Sequence, residues 1–128
     1  MSRTLLILGL LGLVGCTSLP QRSYPAVLVG TWLPLENGIE HPLACASGLP
    51  ISYEHSGRYL LFEEQGQWRL DGDRLTEVAT AATEAGDPAE VAFGKPFVST
   101  IRLLGRNRFL KRLGDGSQLE FRRCPATR

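Results

Sequence analysis

The chain has few histidines and cysteines and almost no net charge, whereas many enzymes and nucleic-acid-binding proteins depend on such residues or on a strong positive charge. Its 128 residues include two histidines and three cysteines, and its formal net charge is +1 at pH 7. A balance this close to zero creates no overall field that attracts nucleic acid or an anionic surface. The sequence contains no Cys-x-x-Cys pair to suggest zinc, and its glycine-rich segments lack the strand–loop–helix setting of a phosphate-binding loop. We expect no nucleic-acid partner, no metal and no cofactor.

The two histidines give little support for catalysis. His41 and His55 both lie in turn-like sequence, and no nucleophile motif surrounds Ser56, which follows His55. The adjacent Glu63 and Glu64 would point to opposite faces of a strand, so they could not act together on one bond. We therefore expect a protein that is not an enzyme.

The longest apolar run is too short to cross a bilayer as a helix. Residues 5–14 are leucine, isoleucine, valine and glycine, preceded by Arg3 and followed by Gly15. A spanning helix needs about 20 apolar residues, whereas a basic head, an apolar core and a small residue at its end are typical of a secretory signal peptide. The pattern predicts a signal peptide at residues 1–15 and one domain in the remainder.

The four residues Leu13-Val14-Gly15-Cys16 resemble the lipobox of bacterial lipoproteins. This resemblance implies cleavage before Cys16, a diacylglycerol thioether on its sulfur and a third acyl chain, such as palmitate, on its amino group. Two or more chains make a membrane anchor stable. Thr17, in place of aspartate, is similar to the pattern sorted to the outer membrane in Gram-negative lipoproteins. We expect a lipid-anchored envelope protein at the outer membrane, facing the periplasm. The alternative is an ordinary secretory signal peptide, cut nearby, with Cys16 present by coincidence.

Cys45 and Cys124 form an even pair in the secreted part of the chain. In an oxidising compartment such a pair indicates a disulfide, which would close a loop of about 80 residues and stabilise the fold by about 4.5 kcal/mol from chain entropy. The competing hypothesis is a metal site with His41 and His55. Pro42 argues against a helix that would bring His41 and Cys45 together, so we predict the disulfide.

Charge is unevenly distributed along the chain. Residues 36–90 carry 11 acidic and 3 basic side chains, whereas residues 95–128 carry 2 acidic and 9 basic ones. One interpretation makes the C-terminal part a surface for an anionic partner. The interpretation that we favour places the two parts in one sheet, with opposite charges facing each other across strands.

Alternating apolar and polar residues, separated by turn residues, predict an all-β fold. Trp68 and Leu70 would share one face of a strand, as would Leu119 and Phe121. Eight antiparallel strands joined in this way can close into a barrel. The predicted strands cover residues 27–33, 51–53, 58–63, 67–71, 74–80, 97–104, 108–113 and 117–123. Residues 39–45 would be a ninth strand, residues 78–90 a helical turn or a loop, and residues 16–26 an extended tether before a domain at 27–128.

Gly30-Thr31-Trp32 resembles the Gly-x-Trp start of lipocalin-like barrels. The runs at 56–59, 66–70 and 72–76 are similar to the middle hairpins of small lipocalin-like bacterial lipoproteins. The resemblance covers residues 28–123 and implies a meander barrel of about eight strands, with an open β-sandwich as the alternative. In an eight-strand meander, Cys45 and Cys124 fall at opposite ends, so their disulfide requires the loop with Cys45 to fold back or the strand count to change by one.

Four residues are candidates for the wall of a ligand site: Tyr59, Trp68, Leu70 and Lys111. Trp68, like Trp32, is more typical of a core than of a cavity. Lys111 shares a face with Phe109 and Leu113; if that face points inward, the buried cation needs a partner or an anionic ligand, and if it points outward, Leu110 fills the core. Both orientations remain open.

These observations predict a non-catalytic, monomeric lipoprotein of the cell envelope. Its lipid anchor would hold it on the membrane, and its barrel would bind a small apolar or anionic ligand. The alternative is a protein-interaction module, such as a protease inhibitor or an envelope accessory protein.

Overall fold

The computed structural model describes residues 24–35, 45 and 49–125, and these form a closed antiparallel barrel. A short helix, α1, precedes eight strands, each paired with its neighbour along the chain, and β1 also pairs with β8. The elements are α1 (Tyr24–Leu28), β1 (Gly30–Leu35), β2 (Ile51–Tyr53), β3 (Arg58–Leu60), β4 (Glu64–Asp71), β5 (Arg74–Ala82), β6 (Phe97–Leu103), β7 (Arg108–Arg112) and β8 (Gln118–Arg123). The predicted eight-strand meander barrel is confirmed, and the open sandwich is wrong.

The strands follow the predicted alternation, but β1, β4 and β5 extend beyond their predicted bounds and β3 ends three residues early, at Leu60. β5 continues to Ala82, through residues for which we proposed a helical turn or a loop. It can do so because a bulge between Gln65 and Gly66 shifts the register and keeps β4 and β5 paired to their ends. The proposed ninth strand at residues 39–45 lies outside the described residues, except for Cys45.

The chain immediately before β1 is helical, where we predicted an extended tether to Ala26 and a strand from Val27. Leu28 is fully buried, and its carbonyl oxygen accepts a hydrogen bond of 2.8 Å from Nε1 of Trp32. This tertiary contact outweighs the strand preference of the valines around Leu28. The helix thus includes residues 24–26, which we had assigned to the tether.

The two ends of the barrel differ. At the closed end lie α1, the end of β8 and the turns between β2 and β3, β4 and β5, and β6 and β7. Aromatic rings fill this half: Phe109 packs edge-on against Trp32 and is stacked on Phe121, both at 4.7 Å between centroids, and Tyr53 packs against Trp68 at 5.3 Å. The opposite end, where β3 passes to β4, β5 to β6 and β7 to β8, is the open end.

Arg123 links the end of β8 to the chain around α1. Its Nη1 donates to the Val29 carbonyl at 2.6 Å, its Nη2 donates to the Val27 carbonyl at 2.9 Å, and its guanidinium lies 4.2 Å from the centroid of a Trp32 ring. Gly30 has φ of 137°, and a Cβ there would lie 2.5 Å from Nη1 of Arg123. The glycine of Gly-x-Trp therefore makes room for this arginine. The tryptophan contacts the guanidinium through its ring.

Cys45 and Cys124 form a disulfide, with their Cα atoms 5.7 Å apart. Cys124 lies at the closed end, where its backbone N–H donates to the Thr31 carbonyl at 2.8 Å. The chain leaves β1 toward the open end, so it returns to the closed end by Cys45. The disulfide and the eight-strand count are therefore compatible, because Cys45 itself lies beside Cys124 at the closed end.

Candidate functional site

A cavity of about 450 Å³ lies at the open end of the barrel. Its volume is within the range of small-molecule binding sites. Exposed side chains of the surrounding segments form its rim, among them Leu49, Phe97 and Leu119. Its inner wall consists of buried side chains: Ile51, Tyr59, Glu77, Ala79, Lys111 and Phe121.

Strand alternation explains how polar groups come to this inner wall. In β5 every second residue is buried, so Glu77 shares the inward face with Leu75 and Ala79. In β7 the same alternation buries Phe109 and Lys111. Toward the closed end these faces carry Leu75 and Phe109, and toward the open end they carry Ala79 and the charged pair. The inward faces therefore change from large apolar to small or polar residues along the barrel axis.

Lys111 points inward and is paired with Glu77. Its Nζ donates to Oε1 of Glu77 at 2.5 Å, and the hydroxyl of Tyr53 donates to Oε2 of the same carboxylate at 3.0 Å. The side chains of Lys111 and Glu77 are only 8% and 6% exposed. The question left open by the sequence is thus resolved: the lysine is buried, and its compensating charge is supplied by the protein, from β5.

Both tyrosines of this region act as donors to carboxylates. Burial, together with the negative charge of Glu77 and its hydrogen bond, raises the pKa of Tyr53 well above its usual value. Burial, followed by the hydrogen bond to Glu64, also raises the pKa of Tyr59. The Tyr59 hydroxyl donates to Oε2 of Glu64 at 3.0 Å. Both hydroxyls therefore keep their protons well beyond neutral pH.

A glycine positions Tyr59 against the wall. A Cβ on Gly66, which pairs with Tyr59 across β3 and β4, would lie 2.7 Å from Cε1 of the Tyr59 ring. The absence of a side chain allows the ring to lie against the neighbouring strand. Its hydroxyl then reaches Glu64 near the open end.

The structure places the four candidate wall residues in two groups. Tyr59 and Lys111 line the cavity. Trp68 and Leu70 point inward, as their alternation predicted, but they belong to the core. Nε1 of Trp68 donates to the Glu54 carbonyl at 3.1 Å, which fixes the indole toward the closed end. Cys16, the candidate lipidation site, lies outside the described residues.

Glu77 is the residue that sequence reasoning missed. The signal was present, because an acidic residue in the predicted strand at 74–80 stands on the same face as Leu75. Lys111 likewise stands on the face of Phe109. Two opposite charges, each on an otherwise apolar strand face, indicate a pair inside a barrel.

Exposed apolar side chains surround the open end. Phe62 lies between β3 and β4, Phe93 lies between β5 and β6, and both are about half exposed, at 55% and 44%. With Leu49, Phe97 and Leu119 they form what we call the apolar rim. Such a concentration of exposed apolar groups at one place is characteristic of a binding surface.

The charged side chains pair both within and between the two oppositely charged parts of the chain. Glu77 and Lys111 join the acidic and basic parts, but they do so inside the barrel. On the outer surface, Arg108 of β7 pairs with Glu120 of β8 at 2.6 Å, within the basic part. We favoured an arrangement in which opposite charges of the two parts face each other across strands. The Glu77–Lys111 pair is such a contact, but it lies inside the barrel.

The geometry gives little support to a catalytic site or a metal site that uses the histidines. His55 and Ser56 are exposed in the turn between β2 and β3, where the Ser56 hydroxyl donates to Glu54 at 3.2 Å. His41 lies outside the described residues. Within residues 24–35, 45 and 49–125, no three His, Cys, Asp or Glu side chains are grouped as metal ligands would be. Over the same part of the chain, no helix is long and apolar enough to cross a membrane.

Comparison of the chain with protein-family models, with curated proteins and with solved structures finds no match. The case for a function therefore depends on the cavity, the charged pair and the apolar rim.

Proposed function

We propose that this protein is a non-catalytic, lipid-anchored binding protein of the cell envelope, whose barrel takes up a small, largely apolar ligand at its open end. The observation that carries the proposal is the cavity of about 450 Å³. A barrel serving only as a scaffold would fill both halves with large side chains, as this one does at its closed end. At the open end, the small side chain of the buried Ala79 lines the cavity instead.

The apolar rim supports uptake of an apolar molecule. Burial of apolar surface stabilises binding by about 25 cal/mol per Å². The exposed Phe97 and Leu119 line the cavity and continue its apolar wall outward. A ligand that entered the barrel would therefore bury its own apolar surface and part of the rim.

Blocking the cavity should abolish binding of an apolar probe. Ala92 is exposed and lines the cavity, so Ala92→Trp is expected to fill space there without disturbing the buried core. We expect it to weaken binding of the neutral dye N-phenylnaphthylamine by about tenfold or more, which corresponds to ~1.4 kcal/mol. Dye fluorescence measured by titration of the purified protein gives the dissociation constants.

Ala89→Trp is the matched control, because Ala89 is exposed in the same segment and is not part of the cavity wall. It adds the same indole and should leave dye binding unchanged. Equal binding by the two variants, or no binding by the unaltered protein, would contradict the proposed function.

The membrane anchor is tested at Cys16. Each buried CH₂ of an acyl chain contributes about 0.8 kcal/mol, so loss of all chains should remove stable membrane attachment. We expect Cys16→Ser to move the protein out of the membrane fraction or leave its signal peptide uncleaved. The double variant Cys45→Ser/Cys124→Ser is the control and should remain attached. Normal membrane retention of Cys16→Ser would rule out the lipoprotein hypothesis.

The apolar rim also favours the second candidate, a protein-interaction module such as a protease inhibitor or an envelope accessory protein. In that case the rim itself would be the contact surface, and Phe62 and Phe93, which are not cavity-lining residues, would contribute most. Phe62→Ser would then reduce partner binding, whereas Ala92→Trp would matter little. The two variants together distinguish uptake into the barrel from docking on its rim.

A further inference from the structure

We propose that the cavity selects a neutral amphiphile, whose polar end carries a hydrogen-bond-accepting oxygen, over an anionic amphiphile. Alcohols, esters and amides belong to this class, and fatty acids in their ionised form do not. The inference rests on the proposed function and specifies its ligand.

The first argument is the hydrogen-bonding capacity of Lys111. A lysine ammonium has three N–H donors, and the Nζ of Lys111 uses one of them for Glu77. Nζ also lies 5.4 Å from the centroid of Phe97 and 5.9 Å from that of Phe121. Both rings line the cavity with Lys111. A buried ammonium therefore retains donors at the cavity wall, and an oxygen of the ligand is the group that would accept them.

The second argument is charge. Glu77 already neutralises Lys111, and both of its carboxylate oxygens are occupied, one by Lys111 and one by Tyr53. The remaining charged lining residues are the half-buried Glu64 and the exposed Glu90 and Lys95. The wall thus offers no net positive charge. An anionic head could accept from the unused donors of Lys111, but the carboxylates of Glu77 and Glu64 would both repel it.

A cationic head is disfavoured for a different reason. Placed at Lys111, it would lie against a like charge, and the negative charge of Glu77 there is already balanced by Lys111. A neutral oxygen needs neither to displace Glu77 nor to approach a like charge. It gains hydrogen bonds from Lys111 with the ion pair left intact.

Three probes of equal chain length test the selection: dodecanol, dodecanoate and dodecylammonium, each used below the concentration at which it aggregates. They compete for bound N-phenylnaphthylamine on the whole mature chain, residues 16–128 with Cys16→Ser, at pH 7.5. We expect dodecanol to displace the dye at a concentration about tenfold lower than either charged probe. This ranking is measured on the intact barrel, so it does not depend on a core variant folding.

Glu77→Gln changes the expected ranking. The substitution leaves the positive charge of Lys111 without its counter-ion, so dodecanoate should bind about tenfold more tightly than to the parent chain and overtake dodecanol. Glu84→Gln, which removes an exposed carboxylate that does not line the cavity, is the control and should keep the parent ranking.

The outcomes separate the two proposals. Tighter binding of dodecanoate or dodecylammonium than of dodecanol by the parent chain would overturn this inference and leave the proposed uptake of a small ligand standing. Failure of all three probes to displace bound dye would also overturn this inference alone, whereas failure of the dye to bind would overturn both.

Discussion

Replacing Lys111 with methionine is expected to destabilise the barrel by roughly 3–5 kcal/mol at neutral pH. Methionine has a similar length but no charge, so it would leave the carboxylate of Glu77 buried with Tyr53 as its hydrogen-bond donor and no cation. A domain of this size has a free energy of unfolding of about 5–15 kcal/mol. The loss is therefore a large part of the total, and denaturant unfolding at pH 7 would measure it.

Equal unfolding free energies of Lys111→Met and the parent protein at pH 7 would contradict the burial of the Glu77–Lys111 pair.

Two further variants test whether the unpaired carboxylate of Glu77 causes the loss of stability in Lys111→Met. Lys95→Met removes an exposed lysine at the rim of the same cavity and should have little effect on stability. Lys111→Met combined with Glu77→Leu removes both buried charges, and such replacements are often neutral or stabilising. We expect the double variant to recover most of the stability lost in Lys111→Met.

Loss of the disulfide is expected to be the second large effect. Cys45 and Cys124 are 79 residues apart, and a cross-link over that distance stabilises by about 4.5 kcal/mol from the entropy of the unfolded chain. Replacing both cysteines with serine should lower the unfolding free energy by up to that amount. The eight strands should remain, because their pairing does not depend on the cross-link.

Denaturant unfolding monitored by Trp fluorescence would measure the change, with the parent protein under reducing conditions as an independent comparison. Both should lose similar stability. Full alkylation of Cys45 and Cys124 in denatured, unreduced parent protein would contradict the disulfide itself.

Local sequence patterns were sufficient to predict most of the barrel. Alternation over short segments fixes which side chains face inward, and turn residues fix where strands end, so β6 and β7 were predicted within one residue of their observed bounds. α1 was not predicted, because its helical form depends on contacts of Leu28 with Trp32 on the following strand. The bulge at Gly66 likewise depends on the partner strand.

The candidate site was only partly predictable, for a related reason. Alternation shows that Trp68 and Lys111 both face inward, but it carries no information about height along the barrel axis. Trp68 lies in the closed half and Lys111 lines the cavity. The pairing of Lys111 with Glu77 joins β5 and β7 across β6, and a contact between strands that are not neighbours requires knowledge of barrel closure.

The position of α1 at the closed end sets where a lipid anchor would join the barrel. If Cys16 carries the proposed lipid, eight Cα–Cα steps join it to Tyr24, a reach of at most about 29 Å. The anchor would then attach at the end of the barrel opposite the cavity, so the point of attachment would leave the mouth of the cavity free for ligand entry.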